Sequence, residues 1–399
     1  MNQAQTMPRT ETMQLNVGPS HPSTHGVLRV LVELDGELII KADPDIGYLH
    51  RGIEKMCEYR TYHKCMPLMN RLDYLAGEVN NFGFCLAVEK LLGVAIPKRA
   101  QYIRVMLAEL TRIASHLFWL GTHGHDLGAM TPLFYAFRER EQIMDLCEMV
   151  SGARMFPLYC RIGGLAADLP EGFLPLAANF AQAFPKRWQD YDNLLTQNEI
   201  WKERTIGVGV MSRDEVLDWG WSGPMARGSG VDWDLRRDNP YSSYEEFEFE
   251  VPLGKNGDTY DRYLVRMREM LQSARIIRQA VAKIEETQPG DIKCADPRVS
   301  LPPKERVYNE IEALIHHFLI IQDGIRPPVG EVYQCIEAPK GEMGFYIVSD
   351  GSPKPFRVKV RGPSFINLSA CDKLAKGRLL ADLIALIGTM DIVLADVDR

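Results

Sequence analysis

The stretch PKRAQYIRVMLAELTRIASHLFWLG, residues 97–121, does more than any other to set the fold class of this chain. Apolar residues recur in it at intervals of three and four positions: Ile103, Met106, Leu107, Leu110, Ile113, Ala114, Leu117 and Leu120. That spacing places them along one face of an α-helix. Pro97 lies near the start, where a missing backbone N–H costs little. The stretch therefore predicts a long helix with one face in a core.

Three further segments have the same character. They are residues 62–93, residues 133–152, which are rich in charge, and residues 259–286, whose apolar positions again follow helical spacing. Pro67 implies that the first of these helices starts or kinks near that residue. Together with 97–121 they give four long helices, each of which has apolar residues to bury. Such a set is typical of a helical bundle.

Short strand patterns precede the bundle. Apolar and polar residues alternate over 13–17, a second strand is predicted over 27–34, and a third over 37–40. Asp35-Gly36, between the second and third strands, is a strong hairpin signal. The sequence predicts a small antiparallel sheet, in which the loop GPSHPSTHG, residues 18–26, joins the first two strands.

The second half of the chain mixes both kinds of element. Residues 201–257 are rich in Gly, Trp and Pro and contain the strand-like piece YEEFEFEVPLG, residues 244–254. Three strands and then one helix are predicted in the C-terminal region: 332–338, 344–350, 356–362 and 372–388. The fold class is therefore α+β, a long-helix bundle with small antiparallel sheets at the N-terminus and in the C-terminal half.

We divide the chain into three regions on this basis. Residues 1–50 form an N-terminal β-sheet that carries the HPSTHG loop. Residues 51–290 form the helical bundle, with a Gly/Trp-rich insertion at about 201–257. Residues 291–399 form a C-terminal α+β region that completes the core.

The composition excludes several functional classes. The 399 residues are 46% hydrophobic and 25% charged, which is typical of a globular protein. The net charge of −7, without a polybasic block, argues against binding to nucleic acid or anionic lipid. No segment has the length and apolar character of a membrane span. Residues 1–13 lack the pattern of a presequence, so a prokaryotic cytoplasmic protein is expected.

The cysteines give no sign of a metal centre. Eight of them are scattered along the chain without a CxxC pair or another ligand spacing. Scattered thiols in a chain that is not secreted are usually reduced and buried. The residues by themselves therefore predict neither an iron–sulfur cluster nor a structural zinc.

His21 and His25 lie four positions apart in the loop GPSHPSTHG. A pair with this spacing binds metal readily when a helix holds both rings on one face, but Pro22 and Gly26 keep this loop out of helix. Two other roles stay open. A loop histidine can be held by backbone hydrogen bonds, or it can donate and accept protons near neutral pH.

Two further residues could take part in proton chemistry. Asp126, in GTHGHDLGAM just past the end of the long helix, could orient an imidazole or could cap the next helix. Tyr74, in NRLDYLAG, has the spacing of an ordinary core tyrosine. The residues alone establish an α+β protein with a loop histidine and with a carboxylate and a phenol that could act beside it.

Longer motifs then identify a family. In order along the chain they are GPSHPSTHGVLRV, DPDIGYLHRGIEK, NRLDYLAG, LAVEKLLG, ELTRIASHL, DLGAMTPLFYAFREREQIMDL, RIGG, PYSSYEEFEFEVPLGKNGDTYDRYLVRMREM and FYIVSDGSPKPFRVKVRGPSFINL. Together they closely resemble the D-type subunit of respiratory complex I, which is also called the 49-kDa-type subunit. The resemblance runs from about residue 13 to Arg399. It indicates a stand-alone D-type subunit rather than a form fused to the C-type subunit.

The resemblance extends to the large subunit of nickel–iron hydrogenases, which implies a fold of that type. Those enzymes hold their metal with two CxxC pairs. The corresponding positions here are Asp73, Ala76, Val393 and Asp396. Because soft thiolates suit such a metal centre and all four are missing, no metal is expected in this chain. A membrane-bound hydrogenase-type large subunit is thus disfavoured, and a non-catalytic scaffold is the other alternative.

The resemblance also implies a site and partners. Tyr74, His25 and Asp126 match the family's catalytic residues; Tyr74 and His25 would bind the quinone headgroup, with Asp126 paired to His25, and His21 has a weaker claim. The substrate would be ubiquinone or menaquinone, reduced through a [4Fe-4S] cluster in a neighbouring subunit. Expected partners are the B-type subunit, which carries the terminal cluster, the C-type subunit, the ferredoxin-like I-type subunit and the H-type membrane subunit. Together they would form a proton-pumping NADH–quinone oxidoreductase, with this chain peripheral on the cytoplasmic face of the bacterial inner membrane.

Overall fold

The structure is a computed structural model, and it describes residues 12–287, 289–290 and 292–399. The prediction that the N-terminal segment carries no presequence falls largely on residues 1–11, which lie outside the described residues. Among the described residues, no helix combines the length and the apolar composition that crossing a lipid bilayer requires.

The described residues form α-helices that we number α1 to α17 in chain order. They are Ile53–Glu58, Tyr62–Met69, Gly77–Leu92, Lys98–Asp126, Thr131–Ser151, Phe173–Tyr191, Glu199–Thr205, Arg213–Asp218, Gly223–Gly228, Leu235–Asp238, Thr259–Glu286, Lys304–Asn309, Ile311–Gln322, Pro363–Ser369, Cys371–Ala375, Leu380–Met390 and Leu394–Asp398. Two single turns of 3-10 helix lie at Pro22–Thr24 and Tyr244–Glu246, and a π-helical turn follows α6 at Asp192–Thr196.

The β-strands of the described residues form three small antiparallel sheets, which confirms the α+β class. Numbered β1 to β8, they are Met13–Val17, Arg29–Asp35, Leu38–Asp45, Cys160–Arg161, Gly164–Leu165, Gly330–Ala338, Gly341–Ser349 and Arg357–Arg361. The sheets are β1–β2–β3, β4–β5 and β6–β7–β8. The hairpin predicted at Asp35-Gly36 joins β2 to β3.

The helical bundle encloses the larger of two cores. Helix α4 packs against α5 and α11, and α11 also packs against α6. The apolar face predicted for residues 97–121 is buried, from Ile103 to Leu120. The sheet β6–β7–β8 closes this core, with Ile336, Phe345 and Val358 pointing into it. The long helices therefore form one wall of the region that contains the candidate site.

A second core joins the N-terminal sheet to the C-terminal helices. Val30, Val32 and Ile39 from the sheet pack with Leu383 and Leu386 of α16. The chain therefore brings its first strands and its last helices together. The division of the chain at residues 50 and 290 stays a prediction.

The long helix extends further than predicted. It ends at Asp126, so the segment GTHGHD belongs to α4 and Asp126 lies in its last turn rather than past its end. Gly121 and Gly124 are the reason the sequence suggests an earlier end. Both glycines lie close to the start of α5. A Cβ atom added at Gly121 would lie 3.0 Å from Leu133, and one added at Gly124 would lie 3.4 Å from the Ala129 carbonyl. Close helix packing, not a turn, accounts for these glycines.

The helix predicted over 62–93 is interrupted. Helices α2 and α3 are separated by residues 70–76, and Pro67 lies inside α2 rather than at the break. Asn70 lies at the interruption, where its side chain donates to the Pro157 carbonyl at 3.1 Å. It packs so closely against Gly77, at the start of α3, that an added Cβ at Gly77 would clash with the Asn70 side-chain oxygen. Tyr74 therefore lies on an irregular segment and not on a helix face.

Two other predicted elements differ in the structure. Residues 247–254 are extended but pair with no strand among the described residues, because Glu248 and Glu250 donate their backbone N–H groups to glutamine side chains of α11. The helix predicted over 372–388 is divided between α15 and α16, because the intervening residues pair with the edge of β3: Gly377 N–H donates to the Ile39 carbonyl at 2.7 Å.

Candidate functional site

The loop between β1 and β2 is tied together by His21 and Thr24. The Nδ1 atom of His21 accepts a hydrogen bond from the Ser23 N–H at 3.2 Å and so caps the single 3-10 turn. The Thr24 hydroxyl donates to the His21 carbonyl at 2.8 Å. His21 is exposed, and its ring holds the shape of the loop.

His25 ends that turn in a left-handed conformation, with φ of 54°. The residue is partly exposed, but its Nε2 atom is buried and has no hydrogen-bond partner among the described residues. Burial and the nearby cation of Lys340 lower the pKa of His25 to about 4. At neutral pH His25 is thus an uncharged imidazole that presents an unpaired nitrogen to the interior.

Asp126 contacts the same loop through a different residue. Its Oδ1 atom accepts a hydrogen bond from the Ser23 hydroxyl at 2.9 Å. Burial raises the pKa of Asp126 above its ordinary value. The structure contains neither a hydrogen bond nor an ion pair between Asp126 and His25, so the pairing expected from the family stays a prediction. Ser23 links the carboxylate to the loop instead.

Tyr74 lies on the segment between α2 and α3. Its side chain is partly buried, and burial together with the charge of Asp73 raises the pKa of the phenol. The cation of Lys340 acts in the opposite direction. The Tyr74 hydroxyl therefore holds its proton firmly at neutral pH.

Lys340 was missed by sequence reasoning, although its cation lowers the pKa of both Tyr74 and His25. It occupies the turn between β6 and β7, where a lysine is ordinarily exposed, yet its side chain is fully buried. Its Nζ atom lies 3.0 Å from the Ser115 hydroxyl and 3.2 Å from Asp73 Oδ2. The motif PKGE contains no local signal for this, because residues distant in sequence bury the lysine.

Two more carboxylates complete what we call the lysine cluster, which consists of Lys340, Asp73, Asp391 and Asp396. Asp391 Oδ1 lies 3.9 Å from Lys340 Nζ, and Asp396 accepts a hydrogen bond from the Ser364 N–H at 2.9 Å. Burial opposes the charge on Lys340, but Asp391 and Asp73 raise the pKa of its ammonium group above the ordinary value. Burial raises the pKa of Asp391 and of Asp396 to about 6.

The space beside Tyr74 is small. A cavity of about 20 Å³ lies there, and its lining includes Tyr74, Glu78, Ala114 and Ile143. That volume holds about one water molecule. Among the described residues, no group of three or more His, Cys, Asp or Glu side chains is placed to hold a metal ion.

Comparison with known proteins assigns the family. A family model described as "Respiratory-chain NADH dehydrogenase, 49 Kd subunit" matches residues 126–399. The chain belongs to this family. It is 59% identical over 393 residues to a Geotalea uraniireducens protein named as the D-type subunit of NADH-quinone oxidoreductase, covering 98% of this chain and all of that protein. The proteins of that name from Geobacter sulfurreducens and Wolbachia pipientis are 58% and 50% identical, with the same coverage.

Membership in the 49-kDa subunit family confirms the recognition made from the motifs, and with it the expected oxidoreductase class. The roles of Tyr74, His25 and Asp126 stay predictions. What the structure adds is placement: the segment 70–76 meets the β6–β7 turn through the Asp73–Lys340 pair, and the HPSTHG loop meets the end of α4 through the Ser23–Asp126 hydrogen bond.

Proposed function

We propose that this chain is the quinone-site subunit of a proton-pumping NADH–quinone oxidoreductase, in which Tyr74 and His25 bind and help to protonate the quinone headgroup. One observation carries the proposal: Lys340 is fully buried 3.2 Å from Asp73, the neighbour of Tyr74 in the chain. His25, on the separate HPSTHG loop, has a buried Nε2 atom without a hydrogen-bond partner among the described residues, and the Lys340 cation lowers the pKa of that ring. Such convergence of a phenol, an imidazole and a charged group is typical of proton-transfer sites.

The chemistry needs two protons. A quinone that accepts two electrons becomes a strong base at both oxygens, and each oxygen takes up one proton to give the quinol. Tyr74, whose pKa is raised, would release its proton only to such a base. His25 is uncharged at neutral pH, so it would first donate a hydrogen bond. Negative charge arriving on the quinone would then raise the pKa of His25 and favour proton uptake.

Asp126 would act on His25 as a positioning residue. Ser23 holds its carboxylate, two residues away from His25 along the same loop. If His25 became a cation during turnover, a small movement of the loop could exchange the Ser23 hydrogen bond for a contact with that cation. Gly26, which follows His25 and has φ of 90°, gives the loop conformational freedom for such a movement.

The remaining parts of the proposal concern the assembly. The cavity beside Tyr74 is too small for a quinone ring, which is consistent with a site shared with a neighbouring subunit. The B-type subunit would hold the [4Fe-4S] cluster that supplies electrons, while the C-type, I-type and H-type subunits would be further partners. The chain would then lie peripherally on the cytoplasmic face of the inner membrane.

Replacing Tyr74 by Phe in the assembled complex tests the proposal. We expect quinone reduction to fall at least about tenfold, because one proton donor is removed while the ring stays. Electron transfer from NADH to an artificial acceptor should be unchanged. Tyr59→Phe, at an exposed tyrosine, is the matched control. Normal quinone turnover in the Tyr74→Phe complex would return Tyr74 to a structural role and favour the scaffold alternative.

A further inference from the structure

Helix α13 exposes an apolar stripe that no other part of the described chain covers. Ile311, Leu314, Ile315 and Phe318 are 75%, 51%, 52% and 60% exposed. Their spacing of three and four residues places them on one face of the helix. Contiguous apolar patches of this kind are rare on isolated soluble proteins and mark interaction sites.

The stripe leads towards an open cavity at the C-terminal end of α13. Ile320 and Ile321 of the helix form one wall of this cavity, which has a volume of about 530 Å³. Ile162, Val299 and Leu301 supply further apolar lining. The stripe and the cavity form what we call the α13 surface: residues 311–321 together with the cavity walls.

The rim of the cavity carries cations that have no partner in the described chain. Lys64 and Arg161 line the cavity, and within residues 12–287, 289–290 and 292–399 neither has a carboxylate within 4 Å or a side-chain hydrogen bond. The described lining residues include no Asp or Glu. By contrast, Arg306 near the other end of the surface is paired with Glu310 at 2.7 Å.

We propose that the α13 surface binds a segment of a neighbouring protein subunit, which places apolar side chains in the cavity and a carboxylate against Lys64 and Arg161. This inference rests on the proposed assembly, but not on the role of Tyr74. Unpaired basic groups beside an apolar cavity are complementary to an acidic group that flanks apolar residues. The stripe and cavity together extend along most of a 12-residue helix, about 18 Å, which suits a protein segment better than one small ligand.

A photo-crosslinker identifies the occupant directly. We would replace Phe318 by p-benzoylphenylalanine, irradiate the purified assembled complex and sequence the crosslinked peptides. The expected product is one peptide of a neighbouring subunit, with an Asp or Glu within a few residues of the crosslinked apolar position. Crosslinks to lipid, to a second copy of this chain, or to no molecule at all would overturn the proposal. The same probe at the exposed Lys186 is the control.

Charge reversal tests the carboxylate contact separately. We expect Lys64→Glu combined with Arg161→Glu to weaken retention of the subunit in the complex at least about tenfold, with increased sensitivity to salt. Lys186→Glu, an equivalent change elsewhere, should leave retention unchanged. Retention at the wild-type level in the double variant would refute the contact.

The two proposals fail in distinguishable ways. Complexes that keep the double-variant subunit should still reduce quinone at the wild-type rate per complex, because the α13 surface contains neither Tyr74 nor His25. If Tyr74→Phe had no effect while the crosslink formed, the quinone role would fail and the docking surface would stand. If quinone reduction required Tyr74 but no crosslink formed, the docking surface would fail and the quinone role would stand.

Discussion

Two groups of buried charged side chains in this chain differ in how many of their carboxylate oxygen atoms accept a hydrogen bond. One is the lysine cluster. The other, which we call the arginine network, lies between α4, α11 and the 227–236 segment. Its members are Glu109, Arg112, Arg227, Asp234, Arg236, Glu269 and Glu337.

In the arginine network every carboxylate oxygen accepts a hydrogen bond. Arg227 Nη1 donates to Glu337 Oε1 at 2.7 Å, and Arg236 donates to both oxygens of Glu109 at 3.2 Å. Burial opposes the charge on Glu269, yet the surrounding arginines hold its pKa well below the ordinary range. The charge on Glu269 is therefore fixed at any pH near neutrality, which suits a structural role, whereas burial raises the pKa of Glu337 at the edge of the network.

In the lysine cluster the pairing is incomplete. Asp391 Oδ2 and Asp396 Oδ1 are buried and have no hydrogen-bond partner among the described residues. Burial raises the pKa of both carboxyls to about 6, so their protons can exchange near neutral pH. The comparison suggests that complete pairing stabilises the fold, whereas incomplete pairing beside Tyr74 keeps titratable groups available.

The largest effect should follow from breaking the arginine network. Glu269→Gln removes the negative charge that Arg112, Arg227 and Arg236 share, while it keeps the shape of the side chain. Breaking a buried ion pair costs about 3–5 kcal/mol, and we expect the upper end of that range. Urea denaturation of the purified chain, followed by tryptophan fluorescence, measures the loss.

A matched control keeps this test specific. Glu250→Gln affects an exposed pair, in which Arg275 lies 4.0 Å away and the Glu250 side chain is largely solvated. It should give no measurable change in the free energy of unfolding. Equal losses for the two variants would contradict the structural role of the network.

The next effect should come from Lys340→Met. It leaves Asp73 and Asp391 buried without their cation, at a cost of about 3 kcal/mol at pH 8. The loss should shrink as the pH falls to 5, because the Asp391 carboxyl, whose pKa rises further without the cation, then binds a proton in the folded state. Lys41→Met, at the exposed pair with Asp43, should show neither the loss nor its pH dependence.

A smaller effect is expected for Asp391→Asn. The folded-state pKa of about 6 lies above the ordinary 3.8, so ionisation of Asp391 makes the folded state less stable as the pH rises from 4 to 6. The Asp391→Asn change should remove about 2 to 3 kcal/mol of the pH dependence of the free energy of unfolding. Asparagine also tolerates the left-handed φ of 48° at this position. Denaturation curves measured at pH 4, 5 and 7 would show it; an unchanged slope would argue against a buried carboxyl with a raised pKa.

Local sequence patterns predicted the parts of the fold that local physics determines. The apolar spacing of α4 and α11 and the hairpin at Asp35-Gly36 need only helical or strand periodicity and turn preferences. The ends and interruptions depend on distant contacts. Gly121 remains helical because α5 packs against it, and Gly377 leaves the helix because it pairs with β3. No window of sequence contains those partners.

The same limit applies to the candidate site. Tyr74, His25 and Asp126 were selected through resemblance to a family, since their local spacing left structural roles equally open. Lys340 could not be selected in that way, because a lysine between Pro339 and Gly341 is ordinarily an exposed turn residue. Its burial depends on Ser115 and Asp73, more than 200 residues away in sequence.

The smallest expected effect concerns the connection between the HPSTHG loop and α4. Ser23→Ala removes the hydroxyl that donates to Asp126 at 2.9 Å, which should lower the free energy of unfolding by about 1 kcal/mol. The pKa of Asp126 should rise further, because that hydrogen bond opposes the effect of burial. Ser369→Ala is the control, since its hydroxyl donates to a backbone carbonyl elsewhere on the surface.

The informative readout of Ser23→Ala is the pH profile of quinone reduction in the assembled complex. If Ser23 restrains Asp126 until His25 becomes charged, its removal should shift the acidic limb of that profile while the stability loss stays small. A loss of stability with an unshifted profile would mean that the hydrogen bond only anchors the loop. In that case the incompletely paired lysine cluster, rather than Asp126, would be the stronger candidate for controlling the charge of His25, because the cation of Lys340 lowers the pKa of that ring.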